Sequence, residues 1–111
     1  MVDEIKNKNI IINQAEISAL KKLIMYVKFS CEEGESLIFA GSEAINSLLD
    51  KIIEVDYLGE HEKEFYKIRN ARNEKFISDK IEKEQASTPN KSSPERIKEY
   101  FDSCLYPFHK K

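Results

Sequence analysis

The chain has 111 residues, of which 41% are hydrophobic, 34% charged and 10% aromatic, and its formal net charge is −2. This length predicts a single domain, 1–111, with enough apolar residues for one core. No run of about 18 apolar residues is present, which excludes a membrane span, and the polar residues 1–9 do not resemble a secretory signal. Three glycines are too few for a Gly-rich phosphate loop. We therefore expect a soluble cytoplasmic protein, with Cys31 and Cys104 as buried thiols rather than a disulfide.

The first helix is predicted over residues 14–32. Asn13 is a good N-cap, and Glu16 three residues later completes a capping box. Apolar residues then recur at helical spacing from Ile17 to Cys31. Gly34 is predicted to end the helix as a left-handed C-cap.

The middle of the chain predicts two further helices. Residues 36–40 fit either an extra helical turn or a short strand, because five residues are too few for periodicity to decide. Ser42 caps a predicted helix over 43–55. A longer helix is predicted over 60–85, and the thin apolar cover around Asn70 leaves its continuity open.

The last helix is predicted over 94–105, because Ser93 and Pro94 are a typical cap and first helical residue. Residues 86–93 are rich in Ser, Thr, Pro and Asn and predict an exposed loop. Residues 1–9 and 107–111 are predicted to be flexible tails. The fold class is therefore all-α, a compact bundle of about four main helices. Its predicted core is Ile17, Leu20, Ile24, Val27, Leu37, Phe39, Ile45, Leu48, Leu49, Ile52, Phe65, Ile68, Ile81, Ile97, Tyr100 and Phe101.

Charge is distributed unevenly along the chain. Residues 32–64 contain ten acidic residues and two lysines, a net charge of −8. Such a run is either a solvated face balanced by the bases of the third helix or an acidic docking surface for a basic partner. None of these acids falls in a calcium-loop pattern, since the central glycine of that loop is absent.

The sequence contains no pattern that indicates catalysis. His61 and His109 are the only histidines, so neither a metal site nor a cofactor is expected. His61 lies between two acids and is interpreted as a surface residue. The Walker, dinucleotide, zinc-ribbon and nucleophile-elbow motifs are absent. We therefore expect that the protein is not an enzyme.

In size, composition and placement of acids from Glu32 to Glu64, the chain resembles the small all-α immunity proteins with which bacteria block nuclease toxins. The resemblance implies an inhibitor that binds a basic toxin domain, as a monomer or a small homo-oligomer. Acidic side chains would then face the partner's Lys and Arg, with Tyr57 and Tyr66 as aromatic anchors. The predicted partner-binding residues are Glu33, Glu35, Asp50, Glu54, Asp56, Tyr57 and Glu60.

Two alternatives remain open. Arg69, Arg72 and Lys75 form a basic strip through which a small phage or host regulator could bind a nucleotide or a transcription or defence component. Binding to nucleic acid itself is not expected, because the neighbouring acidic segment would repel it. The other alternative is a structural helical subunit whose exposed face is buried in an oligomer.

Overall fold

A computed structural model of the chain describes residues 7–108, and these residues form six α-helices. The predicted all-α class is confirmed. No strand occurs within residues 7–108, and no helix in this range is long and apolar enough to cross a membrane. The predicted tails fall largely on residues 1–6 and 109–111, which lie outside the described range. The helices are α1 (Gln14–Phe29), α2 (Ser36–Ala40), α3 (Glu43–Val55), α4 (Gly59–Tyr66), α5 (Ala71–Ala86) and α6 (Pro94–Leu105).

The predicted helix starts are confirmed by their hydrogen bonds. Asn13 Oδ1 accepts from the Glu16 amide and Glu16 Oε1 accepts from the Asn13 amide, both at 2.9 Å, which forms the capping box. Ser42 Oγ and Ser93 Oγ cap α3 and α6 in the same way, each at 3.2 Å from the third amide of its helix. Residues 36–40, which the sequence left ambiguous, are helical.

The predicted end of the first helix is wrong. The helix stops at Phe29 instead of residue 32, and Gly34 does not adopt a positive φ. The carbonyl of Cys31 accepts instead from Lys80 Nζ and from Ser36 Oγ. The backbone at Cys31, beyond the end of the helix, is therefore bonded to α2 and α5.

The helix predicted over 60–85 is interrupted at Asn70. The Asn70 side chain accepts from the Asn73 amide at 3.0 Å and begins α5 as a new helix. The interruption changes which side chains face the core. Tyr66 is buried, whereas Phe65 and Ile68, which a continuous helix would place inside, are exposed.

All six helices contribute side chains to the core, and two further predicted core residues are exposed, Phe39 and Leu48. Phe108 was expected in the flexible tail and is buried instead. Its ring makes edge-to-face contacts with Phe29 and Tyr66, at centroid distances of 5.4 and 5.1 Å. The buried hydrophobic residues are Ile17, Ile24, Phe29, Leu37, Ala40, Leu49, Ile52, Ile53, Tyr66, Ile77, Ile81, Cys104, Leu105 and Phe108.

The two adjacent leucines of α3 provide a matched test of this packing. Leu49 is fully buried, whereas Leu48 is 40% exposed. We expect Leu49→Ala to lower the free energy of unfolding by about 2 kcal/mol more than Leu48→Ala, because only Leu49 leaves a closed cavity. Urea unfolding of both variants measures the difference. Equal losses would show that the assigned inner face of α3 is wrong.

Candidate partner-binding surface

A tight turn joins α3 to α4. Helix α3 ends at Val55 because Asp56 adopts an extended backbone, with φ −70° and ψ 135°, and α4 begins only three residues later. A Cβ atom on Gly59 would lie 2.2 Å from the Ile53 carbonyl oxygen, so this close approach requires glycine. The turn therefore holds the end of α3 and the start of α4 together.

Three exposed acids of the predicted partner-binding set lie at this junction. The Lys63 ammonium contacts the carboxylates of Glu54 at 2.7 Å and Glu60 at 3.3 Å, so the two carboxylates lie side by side. Asp50 precedes Glu54 by one helical turn and lies on the same side of α3. We call this group the acidic corner and define it as Asp50, Glu54, Val55, Tyr57, Glu60 and Lys63.

Hydrogen bonds restrain the charged groups of the acidic corner. The Tyr106 hydroxyl donates to Asp50 Oδ1 at 2.6 Å and so joins α3 to the end of α6. Burial and this hydrogen bond raise the pKa of Tyr106, which keeps the phenol protonated as a donor. The hydrogen bond to Glu54, with a further one to Glu60, raises the pKa of Lys63. The carboxylates are therefore partly fixed in position.

Two large apolar side chains project from the same corner. Val55 is 62% exposed and Tyr57 is 74% exposed. The Tyr57 amide donates to Gln14 Oε1 at 3.3 Å, so the backbone beneath the ring is attached to α1. Tyr57 is thus an exposed aromatic residue on a restrained backbone, preceded in the chain by Glu54 and followed by Glu60. An aromatic centre with a charged rim is typical of a protein interface.

Asp56 was predicted to bind the partner and is buried instead. Its carboxylate forms an ion pair with Lys21 and accepts from Gln14 Nε2 at 2.8 Å. Burial favours a higher pKa for Asp56, but hydrogen bonds from Lys21, Gln14 and the Leu58 amide together hold it below the usual value. Asp56 therefore stabilises the fold beneath the acidic corner and does not face a partner.

Tyr66, the second predicted anchor, is also inside the protein. Burial raises its pKa to about 12, with a further contribution from Glu62. Its ring packs against Phe65 and Phe108 at centroid distances of 5.7 and 5.1 Å. Tyr66 therefore belongs to the core, and Tyr57 is the exposed tyrosine of the predicted pair.

Glu33 and Glu35 are exposed but lie far from the acidic corner. Gln14, the first residue of α1, contacts Asp56 at the corner, whereas Glu33 and Glu35 follow the other end of the same helix. A helix of 16 residues is about 24 Å long. The structure therefore divides the predicted acidic surface into two groups, which lie toward opposite ends of α1.

Two of the three cations in the basic strip considered for nucleotide binding are already paired with acids. Arg69 Nε donates to both carboxylate oxygens of Glu74 at 3.0 and 2.9 Å, and Lys75 pairs with Asp79 at 2.8 Å. Arg69 and Lys75 line one groove between α5 and α6, whereas Arg72 lines a different one beside α1 and α4. The structure does not bring the three cations together in one cavity.

The remaining chemistry-bearing residues are dispersed. Both cysteines are free thiols, Cys104 buried and Cys31 half-buried. Burial raises the pKa of Cys104 to about 11, so its thiol is protonated and a poor nucleophile. His61 is exposed, and within residues 7–108 no three His, Cys, Asp or Glu side chains are grouped to hold a metal ion.

Sequence reasoning missed three contributors to the acidic corner. Lys63 follows Glu60 at helical i,i+3 spacing, a signal that could have placed it beside that carboxylate. Val55 lies outside the predicted apolar face of its helix and was assigned no role. Tyr106 is 56 residues from Asp50 in the chain, and nothing local indicates their contact.

No family model matches the chain, and comparisons with curated proteins and with solved structures also give no match.

Proposed function

We propose that the protein is a non-enzymatic interaction module, an immunity-type inhibitor that binds and neutralises a basic, nuclease-type bacterial toxin. The observation that carries the proposal is the exposure of Val55 and Tyr57 at a corner that also presents the carboxylates of Asp50, Glu54 and Glu60. Apolar centres surrounded by charged rims are typical of specific protein interfaces.

Each group of the acidic corner has a distinct part in the proposed complex. Tyr57 inserts its ring into a pocket of the partner, since tyrosine is among the commonest residues at binding hot spots. Glu54 and Glu60 accept hydrogen bonds from the partner's Arg and Lys side chains. Their negative field increases the rate of encounter with a basic surface, which an inhibitor of a toxic enzyme requires.

Lys63 prepares the two carboxylates for this partner. Its ammonium lies 2.7 Å from a Glu54 oxygen and 3.3 Å from a Glu60 oxygen, and so holds the two carboxylates side by side. A guanidinium from the partner can bridge the same two carboxylates. The Lys63 pairs are largely exposed to solvent and therefore contribute little to folding stability. An incoming arginine can thus replace Lys63 at small cost.

Charge reversal at two places tests the location of the binding surface. We expect Glu54→Lys/Glu60→Lys to lower the association rate constant with the partner about tenfold or more at low salt, because the steering field is removed. Glu33→Lys/Glu35→Lys is the matched control. It makes the same change in net charge at the other end of α1 and should lower the rate far less.

The measurement requires the natural partner. The tagged full chain captures proteins from a lysate of the source organism, and stopped-flow mixing then uses the purified captured protein at low and physiological ionic strength. The captured protein should be basic and should cleave nucleic acid only when this chain is absent. An acidic partner, persistent nuclease activity in the complex, or equal rates for the two double variants would contradict the proposal.

A further inference from the structure

A broad groove lies between α1 and α4, and the first turn of α5 contributes to its lining. Its volume is about 640 Å³, which is within the range of sites that bind small organic molecules. We call it the aromatic groove, after the five rings that line it. These are Tyr26, Phe29, Phe65, Tyr66 and Phe108.

The rings of the aromatic groove form a buried floor and an exposed rim. Phe29, Tyr66 and Phe108 are buried, and the Phe108 ring packs edge-to-face against the other two. Tyr26 of α1 is 56% exposed and Phe65 of α4 is 52% exposed. The Phe65 ring also packs against Phe108, at a centroid distance of 5.6 Å, and so is held against the floor. Exposed rings beside a buried aromatic floor offer a planar ligand a surface to stack on.

Two cations that line the aromatic groove have no acidic partner. Lys22 and Arg72 are exposed, and neither forms an ion pair within the part of the chain that the structure describes. Arg72 Nη1 donates to Asn73 Oδ1 at 3.2 Å, which attaches the guanidinium to a buried residue but leaves its charge uncompensated. Glu62, the acidic residue of the lining, already pairs with Lys21 at 2.5 Å. The charge of the groove therefore favours an anion.

We propose that the aromatic groove binds a small planar aromatic anion. The ring of this ligand stacks against the exposed Tyr26 and Phe65 side chains. Its anionic group, a carboxylate or a phosphate, accepts hydrogen bonds from the Arg72 guanidinium and the Lys22 ammonium, since both oxyanions match the guanidinium geometry. A concave lining that is mainly apolar, with a few polar groups that orient the ligand, is typical of small-molecule sites.

The aromatic groove is separate from the acidic corner. Glu62 and Phe65 line the groove, whereas Glu60 and Lys63 of the corner lie on a different side of α4. The two features also differ in charge, because the groove presents unpaired cations and the corner presents carboxylates. Binding of an aromatic anion is therefore independent of the proposed inhibitor function, and its test does not require the partner protein.

Titration of the full chain, followed by the NMR signals of its backbone amides, tests the groove with adenosine monophosphate and with naphthoate. The first probe carries a phosphate and the second a carboxylate, so the pair shows which oxyanion the groove takes. We expect at least one probe to saturate, with its largest shift changes at Tyr26, Ser30 and Arg72. The neutral analogues adenosine and naphthamide, and the non-aromatic anion ribose phosphate, should each bind about tenfold more weakly or worse.

Substitutions at exposed positions test the two kinds of contact separately. Arg72→Gln should weaken binding of the saturating probe about tenfold or more, because charge-assisted hydrogen bonds are lost. Arg96→Gln is the matched control, since Arg96 is also exposed but lies on α6 and does not line the groove. Tyr26→Ala should weaken binding about tenfold through loss of stacking. Thermal unfolding of each variant confirms that it folds, as expected for exposed side chains.

Three results would overturn the proposal. One is failure of both probes to saturate. The second is a neutral analogue or ribose phosphate that binds as tightly as the aromatic anion, which would show that the groove does not select for both the ring and the charge. The third is a folded Arg72→Gln variant that binds the probe as tightly as Arg96→Gln does.

Discussion

At about pH 10, replacement of Lys28 by methionine is expected to lower the free energy of unfolding by about 3–5 kcal/mol. The side chain is completely buried, and its ammonium donates to the carbonyl oxygens of Ala40 at 2.6 Å and of Ser103 and Cys104 at 3.2 Å. Methionine has a similar length but no donor, and an acceptor left unsatisfied costs about 1–3 kcal/mol. The substitution would loosen α1 from α2 and α6 at once.

The same lysine gives the prediction a pH dependence. Burial lowers the pKa of Lys28 to about 8, whereas its ordinary value is 10.5. Between these values the unfolded chain binds more protons than the folded chain, so the contribution of Lys28 to the free energy of unfolding rises with pH. Across the interval between the two pKa values, this contribution rises by about 3 kcal/mol. The difference in stability between wild type and Lys28→Met should therefore widen from about pH 7 to about pH 10.

Urea unfolding of the two proteins across this pH range measures that difference. The comparison cancels groups that both proteins share, such as Tyr100, whose pKa burial raises to about 12. Lys22→Met is the control, because Lys22 is exposed on the same helix and its loss should have little effect. A small difference at pH 10 would show that the Lys28 side chain does not join the three helices, and a difference that is constant with pH would show that burial does not lower its pKa.

The role of Lys28 could not be predicted from the sequence. Its position, one turn after Ile24, continues the inward face of α1, but a lysine there would ordinarily extend to solvent. Its acceptors come from two other helices and lie up to 76 residues away in the chain. Helix starts, in contrast, were predictable because caps such as Asn13 and Ser42 act within three residues.

The candidate site follows the same division between local and distant contacts. Local charge density correctly placed Glu54 and Glu60 on one surface, since a short turn joins their helices. It placed Glu33 there wrongly because α1 separates that residue from the corner. Local pattern alone also left Phe108 in a tail, although it packs against Phe29 from the opposite part of the chain. The sequence pattern therefore did not indicate burial or contacts that arise between segments distant in the chain.

Asp56 is the clearest example of a contact between distant segments, and its substitution should have the second large effect on the free energy of unfolding. Lys21 and Gln14, its main partners, are 35 and 42 residues away. Asp56→Asn keeps the shape and an oxygen that can accept from Gln14, but it removes the charge that faces Lys21. Loss of one member of a buried ion pair costs about 3–5 kcal/mol. We therefore expect the free energy of unfolding near neutral pH to fall by about 3 kcal/mol. This value is at the lower limit of that range because Glu62 still contacts Lys21 at 2.5 Å.

Acid titration distinguishes loss of the ion pair from a general packing defect. The pKa of Asp56 in the folded chain lies below its ordinary value of 3.8, so the ionised carboxylate stabilises the fold above that value. As pH falls below about 4 the unfolded chain takes up the proton first, and this stabilisation is lost. The difference between wild type and Asp56→Asn should accordingly shrink in acid. Glu54→Gln, in a largely exposed pair with Lys63, should change stability by less than about 1 kcal/mol at either pH. Two results would show that the buried pair does not hold the α3–α4 turn against α1. One is a loss of stability in Asp56→Asn as small as that in Glu54→Gln, and the other is a loss in Asp56→Asn that stays the same in acid.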